Sequence, residues 1–184
     1  MKEEASRSPF DAGKFVAGAL CSIALIAVSF GAYLALGLMD VASDVQPPGW
    51  ESATMTPSVH ASVRRSARSL RNPLPDSQET LIAGGKLYMN DCIGCHGGPT
   101  EPASQFGLTF FPPAPQFWKM GTQYKDTEAF WVAKHGIRWS GMFRQAGTGG
   151  YSDADLWKVA AFISRIGSLP APVLKAIQPT PEPK

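Results

Sequence analysis

Between Phe15 and Met39 the chain carries no charged residue (FVAGALCSIALIAVSFGAYLALGLM). As a helix rising 1.5 Å per residue, this run reaches about 37 Å, enough to cross roughly 30 Å of hydrocarbon with some tilt. It exceeds the apolar core of about 7–15 residues that a cleaved signal peptide carries, and Val41-Ala42-Ser43 is only a weak cleavage site. The run is therefore expected to be a single retained membrane span. Lys2, Arg7 and Lys14 precede it, whereas the first basic residue beyond it is Arg64. The distribution of basic residues places residues 1–14 in the cytoplasm and everything after Asp40 on the outer, periplasmic or extracytoplasmic, side of the cytoplasmic membrane. Ala27, Gly31 and Ala35 recur every fourth residue, a stripe on which another helix of a membrane complex can pack.

The 145 residues that remain outside this span and its short leader cannot all be one core. Residues 40–77 read as a linker, because Pro47-Pro48-Gly49, Pro57, Pro73 and Pro75 should break any long regular element. Within it Arg64, Arg68 and Arg71 stand at i, i+4 and i+7, which on a helix share a face suited to anionic lipid or an acidic partner. A domain is expected over 78–170. Residues 171–184, with prolines at 172, 179, 181 and 183, are expected to form a tail outside the fold. Net charge is only +2, which gives no reason to expect nucleic acid as a partner. The three cysteines, Cys21, Cys92 and Cys95, are no disulfide framework.

Cys92-Ile93-Gly94-Cys95-His96 is a C-x-x-C-H motif, the attachment signature of c-type haem. Two thiols one helical turn apart can each add to one porphyrin vinyl group, and the histidine that follows then lies beneath the iron. A thioredoxin-like pair would need a strand before it, and the flanks are helical and glycine-rich. A structural zinc site needs four ligands, and only the isolated His60 and His135 remain. Downstream, Ser152-Asp153-Ala154-Asp155 is a capping-box-like helix start. Leu156, Val159, Ala160 and Ile163 then follow at helical spacing.

Over roughly residues 78–170 these features resemble the class I c-type cytochrome family. The resemblance rests on C-x-x-C-H, on Gly84 and Tyr88 eight and four residues before Cys92, and on the last helix with Phe162. In that family the small residue and the aromatic meet the last helix. The stretch KHGIRWSGMF resembles the segment that supplies a methionine to the iron, with Met142 in the methionine position and Phe143 where proline is usual. The resemblance implies an all-α fold of four or five short helices around one covalently attached haem c. Its iron would have His96 and Met142 as axial ligands. It also implies a backbone carbonyl of Pro112, Pro113 or Pro115 as acceptor for the His96 ring. Met120 reads as a core gap-filler, and His135 as a basic residue closing a helix over Thr127–His135. Phe106, Phe110, Phe111, Phe117, Trp118, Phe130, Trp131 and Trp139 are offered as an apolar wall, and Arg138 and Trp139 as propionate partners.

A thioether ligand leaves the iron no open position and favours electron transfer. The expectation is thus an electron carrier rather than an enzyme, passing electrons between redox proteins as a shuttle or as a relay subunit of a respiratory complex. The alternative is a haem sensor or peroxidase-like enzyme, which needs an open sixth site.

Overall fold

The computed structural model describes residues 11–100, 103–147 and 150–178. Lys2 and Arg7, the Thr148-Gly149 part of the glycine-rich turn, and the last residues of the chain lie outside the described residues. Those described are helical or loop, with no strand among them.

The chain divides into two compact units, Met1–Ala42 and Ser43–Lys184. The first holds helix α1, Ala12–Ala35, long and apolar enough by length and composition to cross a membrane. Asp11 caps it by accepting hydrogen bonds from the backbone N–H groups of Gly13 and Lys14 at 3.1 and 3.2 Å. The helix starts before Phe15 and stops before Met39, because Leu36 caps it and Gly37 turns the chain at φ +64°.

The second unit contains α2 (Gly49–Ala67), α3 (Gln78–Asp91), α4 (Ile93–His96), α5 (Phe117–Met120), α6 (Asp126–His135), α7 (Asp153–Ser164) and α8 (Ala171–Ile177), with 3₁₀ turns at Gly107–Thr109 and Ile166–Ser168. The apolar period of α7 turns Leu156, Trp157, Val159, Ala160, Phe162 and Ile163 inward. Ser152 and Asp155 close its start reciprocally: the Ser152 hydroxyl accepts from Asp155 N at 3.2 Å, and Asp155 Oδ2 accepts from Ser152 N at 3.3 Å. Helix α7 packs on α3 and α6. Gly84 makes the α3 contact, since a Cβ there would lie 2.0 Å from the Lys158 carbonyl oxygen. Beside it the fully buried Tyr88 and Phe162 rings meet at 5.4 Å. Phe130 of α6 stacks on Trp157 with 3.8 Å between ring centres.

Two segments differ from the expectation. Residues 40–77 hold a 19-residue helix, α2, that runs through Pro57. Pro48 and Gly49 sit at its start, where a proline costs nothing. Its Val63 and Ala67 are buried, α2 packs on α6, and His60 stacks on Tyr124 at 5.4 Å. Tertiary burial thus outweighs the one backbone donor that Pro57 removes. The helix ends at Ala67, so Arg68 is only its cap and Arg71 lies beyond it, donating to the Leu70 carbonyl at 2.7 Å. The three arginines do not share one helical face. Residues 171–177 also belong to the fold rather than to a tail. Pro172 falls in the first turn of α8, where it is compatible with a helix, and Val173 and Ile177, one turn apart, are buried against α3.

Candidate functional site

Helix α3 delivers the C-x-x-C-H motif. It ends at Asp91, Cys92 caps it, and the single turn α4 carries Cys95 and His96. The Tyr88 hydroxyl donates to the Gly97 carbonyl at 2.8 Å, tying the end of the motif to the α3–α7 core. Both cysteines are free thiols. Burial first, then the negative charge of Asp91, pushes the Cys92 thiol up to about 12, and burial raises Cys95 as well. At neutral pH both are therefore protonated thiols, which are poor nucleophiles toward disulfides or oxidants. The Asp91 carboxylate accepts a hydrogen bond from the Tyr151 hydroxyl, which joins the residue before Cys92 to the approach to α7.

The His96 ring is fixed on two sides. Its Nδ1 lies 2.9 Å from the carbonyl oxygen of Pro115, which selects the tautomer with the proton on Nδ1 and leaves Nε2 as the basic nitrogen. Of the three prolines it is Pro115 that accepts. The Phe117 ring stacks on the imidazole at 4.6 Å and 12°. Burial holds the His96 pKa below its ordinary value, opposed by the bond to Pro115, so the ring is neutral and able to donate a lone pair.

The loop between α4 and α5 is built from polar bonds that sequence reasoning did not reach. Gln116 is buried, at 6% exposure. Its amide donates to the carbonyls of Cys95 (2.8 Å) and Ala114 (2.9 Å) and accepts from Ser104 N (2.8 Å). The Ser104 hydroxyl bonds the Gly94 carbonyl and accepts from Gly107 N at 2.9 Å. Gly107 lies so close to Cys95 that a Cβ would stand 1.9 Å from its carbonyl oxygen. The one polar residue inside FFPPAPQFW was a readable signal, since a polar side chain among such neighbours needs partners.

Met142 lies in the loop after α6, half-buried. Its carbonyl accepts from Ile137 N at 2.8 Å and its N–H donates to Ser140 Oγ at 3.1 Å. The preceding Gly141 abuts Phe110, whose ring atoms lie 2.5–2.8 Å from where a Cβ would be. Gly107, Phe110 and Gly141 thus join the loop bearing Met142 to the segment bearing Cys95 and His96.

Met120 is not a core filler: it is 75% exposed, at the end of the short α5, whose inward positions are taken by Phe117 and Trp118. His135 closes α6 as expected, with Gly136 at φ +69° behind it and Trp131 against its ring at 5.0 Å. Of the aromatics, Phe117 and Phe110 line this region, whereas Phe130 and Trp118 face the α7 core. Arg138 and Trp139 are exposed beside Ser140 and Met142, with Trp139 at φ +57°. Among the described residues, no group of three or more His, Cys, Asp or Glu gathers to hold a metal ion directly.

Residues 79–163, just under half of the chain, match the family model described as cytochrome C oxidase, cbb3-type, subunit III. They form a class I cytochrome c domain. No curated protein and no solved structure matches the chain. A cytochrome c domain implies haem c with its iron, redox partners and haem-based electron transfer. The donor set fits that group: two neutral thiols a turn apart, and an imidazole oriented through Nδ1 with Nε2 uncommitted.

Proposed function

We propose that the chain is a membrane-anchored monohaem cytochrome c that relays electrons between redox proteins at the outer face of the cytoplasmic membrane. The observation that carries this reading is the pairing of the C-x-x-C-H turn with the His96–Pro115 hydrogen bond, 2.9 Å long, which commits one ring nitrogen and leaves the other for iron. In this reading Cys92 and Cys95 would hold the haem through thioether bonds, each S–H adding across a vinyl group so that its hydrogen goes to the neighbouring vinyl carbon and no oxidant is needed. Bound there, haem supplies a reversible one-electron change of valence. His96 Nε2 and the Met142 thioether would hold the iron, and a thioether there would favour the ferrous state. Phe117 excludes water beside the ring, and Pro115 holds its orientation.

Helix α1 supports a single span, and Lys2, Arg7 and Lys14 ahead of it support an N-terminus inside with the cytochrome domain outside. The description of the matched family supports a fixed place as the relay subunit of a terminal oxidase. The domain organisation follows: 1–14 inside, 15–39 spanning, 40–77 connecting, 78–170 carrying haem, and 171–184 ending the chain, with α2 and α8 as packed additions.

The test is purification of the full chain from membranes, followed by denaturing electrophoresis with haem staining and a pyridine haemochrome spectrum. One haem per chain, with two saturated vinyl positions, is expected. Cys92→Ser and Cys95→Ser should each shift the spectrum to that of one remaining vinyl group, and His96→Ala should abolish the low-spin spectrum. Wild-type protein without covalent haem overturns the proposal.

A further inference from the structure

The His96–Pro115 hydrogen bond crosses between two segments with nothing regular to hold them in register. His96 ends α4, and Pro115 lies in the irregular stretch before α5. One side chain holds both. Gln116 Nε2 donates to the carbonyl of Cys95, the residue before His96, and to the carbonyl of Ala114, the residue before Pro115, at 2.8 and 2.9 Å. Its Oε1 accepts from Ser104 N at 2.8 Å, so every polar group of the amide is used in a site only 6% exposed.

We propose that Gln116 is a positioning residue for the proximal ligand: its amide sets the distance between His96 Nδ1 and the Pro115 carbonyl and thereby the redox balance of the iron. This rests on His96 being that ligand. A proton on Nδ1 that is well shared with a carbonyl makes Nε2 more electron-rich, which stabilises ferric iron. Releasing the two segments weakens that sharing, exposes the Nδ1 proton to solvent and shifts the balance toward ferrous iron. A glutamine that merely filled space would do none of this.

The experiment uses the full-length holoprotein with Gln116→Leu, Gln116→Glu and, as control, Ser104→Ala. Leucine keeps bulk and removes all three bonds; glutamate keeps the shape but loses both donors. Ser104→Ala loosens the same loop through Gly94 and Gly107 while leaving the backbone N–H of residue 104 and both Gln116 donor bonds in place. Proton NMR of the ferrous protein reads solvent exchange of the His96 Nδ1 proton, and a redox titration reads the ferrous-to-ferric ratio at a fixed poise. Both Gln116 variants should exchange that proton at least tenfold faster, Gln116→Leu should also raise the ratio at least threefold, and Ser104→Ala should do neither. If the Gln116 variants mature and match wild type in both readouts, or if Ser104→Ala moves both equally, the positioning role is wrong while the haem reading stands. If Gln116→Leu fails to mature, Gln116→Glu decides on the exchange of the His96 Nδ1 proton. If both fail to incorporate haem while Ser104→Ala succeeds, the residue acts in folding and the proposal fails. Wild-type protein without covalent haem, or without a His96 Nδ1 signal, defeats the underlying reading instead.

Discussion

The contact between α3 and α7 and the loop around His96 lie in one domain and are held in opposite ways. The helix contact is backbone against backbone at Gly84, with buried rings around it. The loop has little regular structure and is held by directional bonds from Gln116 and Ser104 and by the acceptor Pro115. Apolar packing tolerates small shifts but not added volume. A hydrogen-bonded loop keeps one ligand orientation and loses it when a single partner is removed. The first arrangement suits a scaffold, and the second fixes one imidazole in the orientation that the proposed haem ligand requires.

The most damaging way to break the scaffold is to push the two helices apart. Gly84→Val puts a side chain where the Lys158 carbonyl lies, 2.0 Å from the added Cβ. It should cost more than about 3 kcal/mol. Denaturant unfolding of the holoprotein, followed by haem absorbance and by helical circular dichroism together, checks it. A stable variant would mean that α3 and α7 can slide without loss. Phe162→Ala empties a fully buried site on the same seam and should cost about 3–5 kcal/mol. Its low-spin spectrum should survive wherever the chain remains folded, because the ring does not touch His96.

The complementary change acts on the loops and spares the scaffold. Met142→Ala should open a coordination position, lower the reduction potential and let carbon monoxide bind the reduced protein, with helical content unchanged. Met120→Leu, at an exposed position, should do none of these. The reverse result would transfer the ligand role to Met120. Carbon monoxide binding by the wild type would favour a haem sensor or peroxidase-like protein.

The smallest effect belongs to the cap of α7. Ser152→Ala removes the hydroxyl that accepts from Asp155 N at 3.2 Å and should cost about 1 kcal/mol. The Ser152 hydroxyl, and Lys158 after it, hold the half-buried Asp155 carboxyl below its ordinary value of 3.8. A depressed carboxylate stabilises the fold fully above that ordinary value and loses its contribution as pH falls through the lower folded value. Asp155→Asn should therefore flatten the dependence of stability on pH below about 4 and leave the haem spectrum unchanged. An unchanged acid limb in thermal melts would show that the cap carries no pH dependence.

The sequence alone determined the elements whose information is local. A 3.6-residue apolar period specified α7, Ser152 and Asp155 marked its start, and His135 followed by Gly136 marked the end of α6. C-x-x-C-H placed two thiols and an imidazole within one turn because covalent spacing there is the geometry. Resemblance added what no periodicity contains, the pairing of Gly84 and Tyr88 with Phe162. Only the tertiary structure decided the rest. Pro57 lies within α2, because buried Val63 and Ala67 outweigh one lost donor, and Val173 and Ile177 draw α8 onto α3. The choice of Pro115 among three prolines, and the buried role of Gln116, depend on where residues 95 and 96 stand nineteen or more positions earlier in the chain. A hydrogen bond across such a separation leaves no period in the sequence, because its partners meet only after the chain between them has closed.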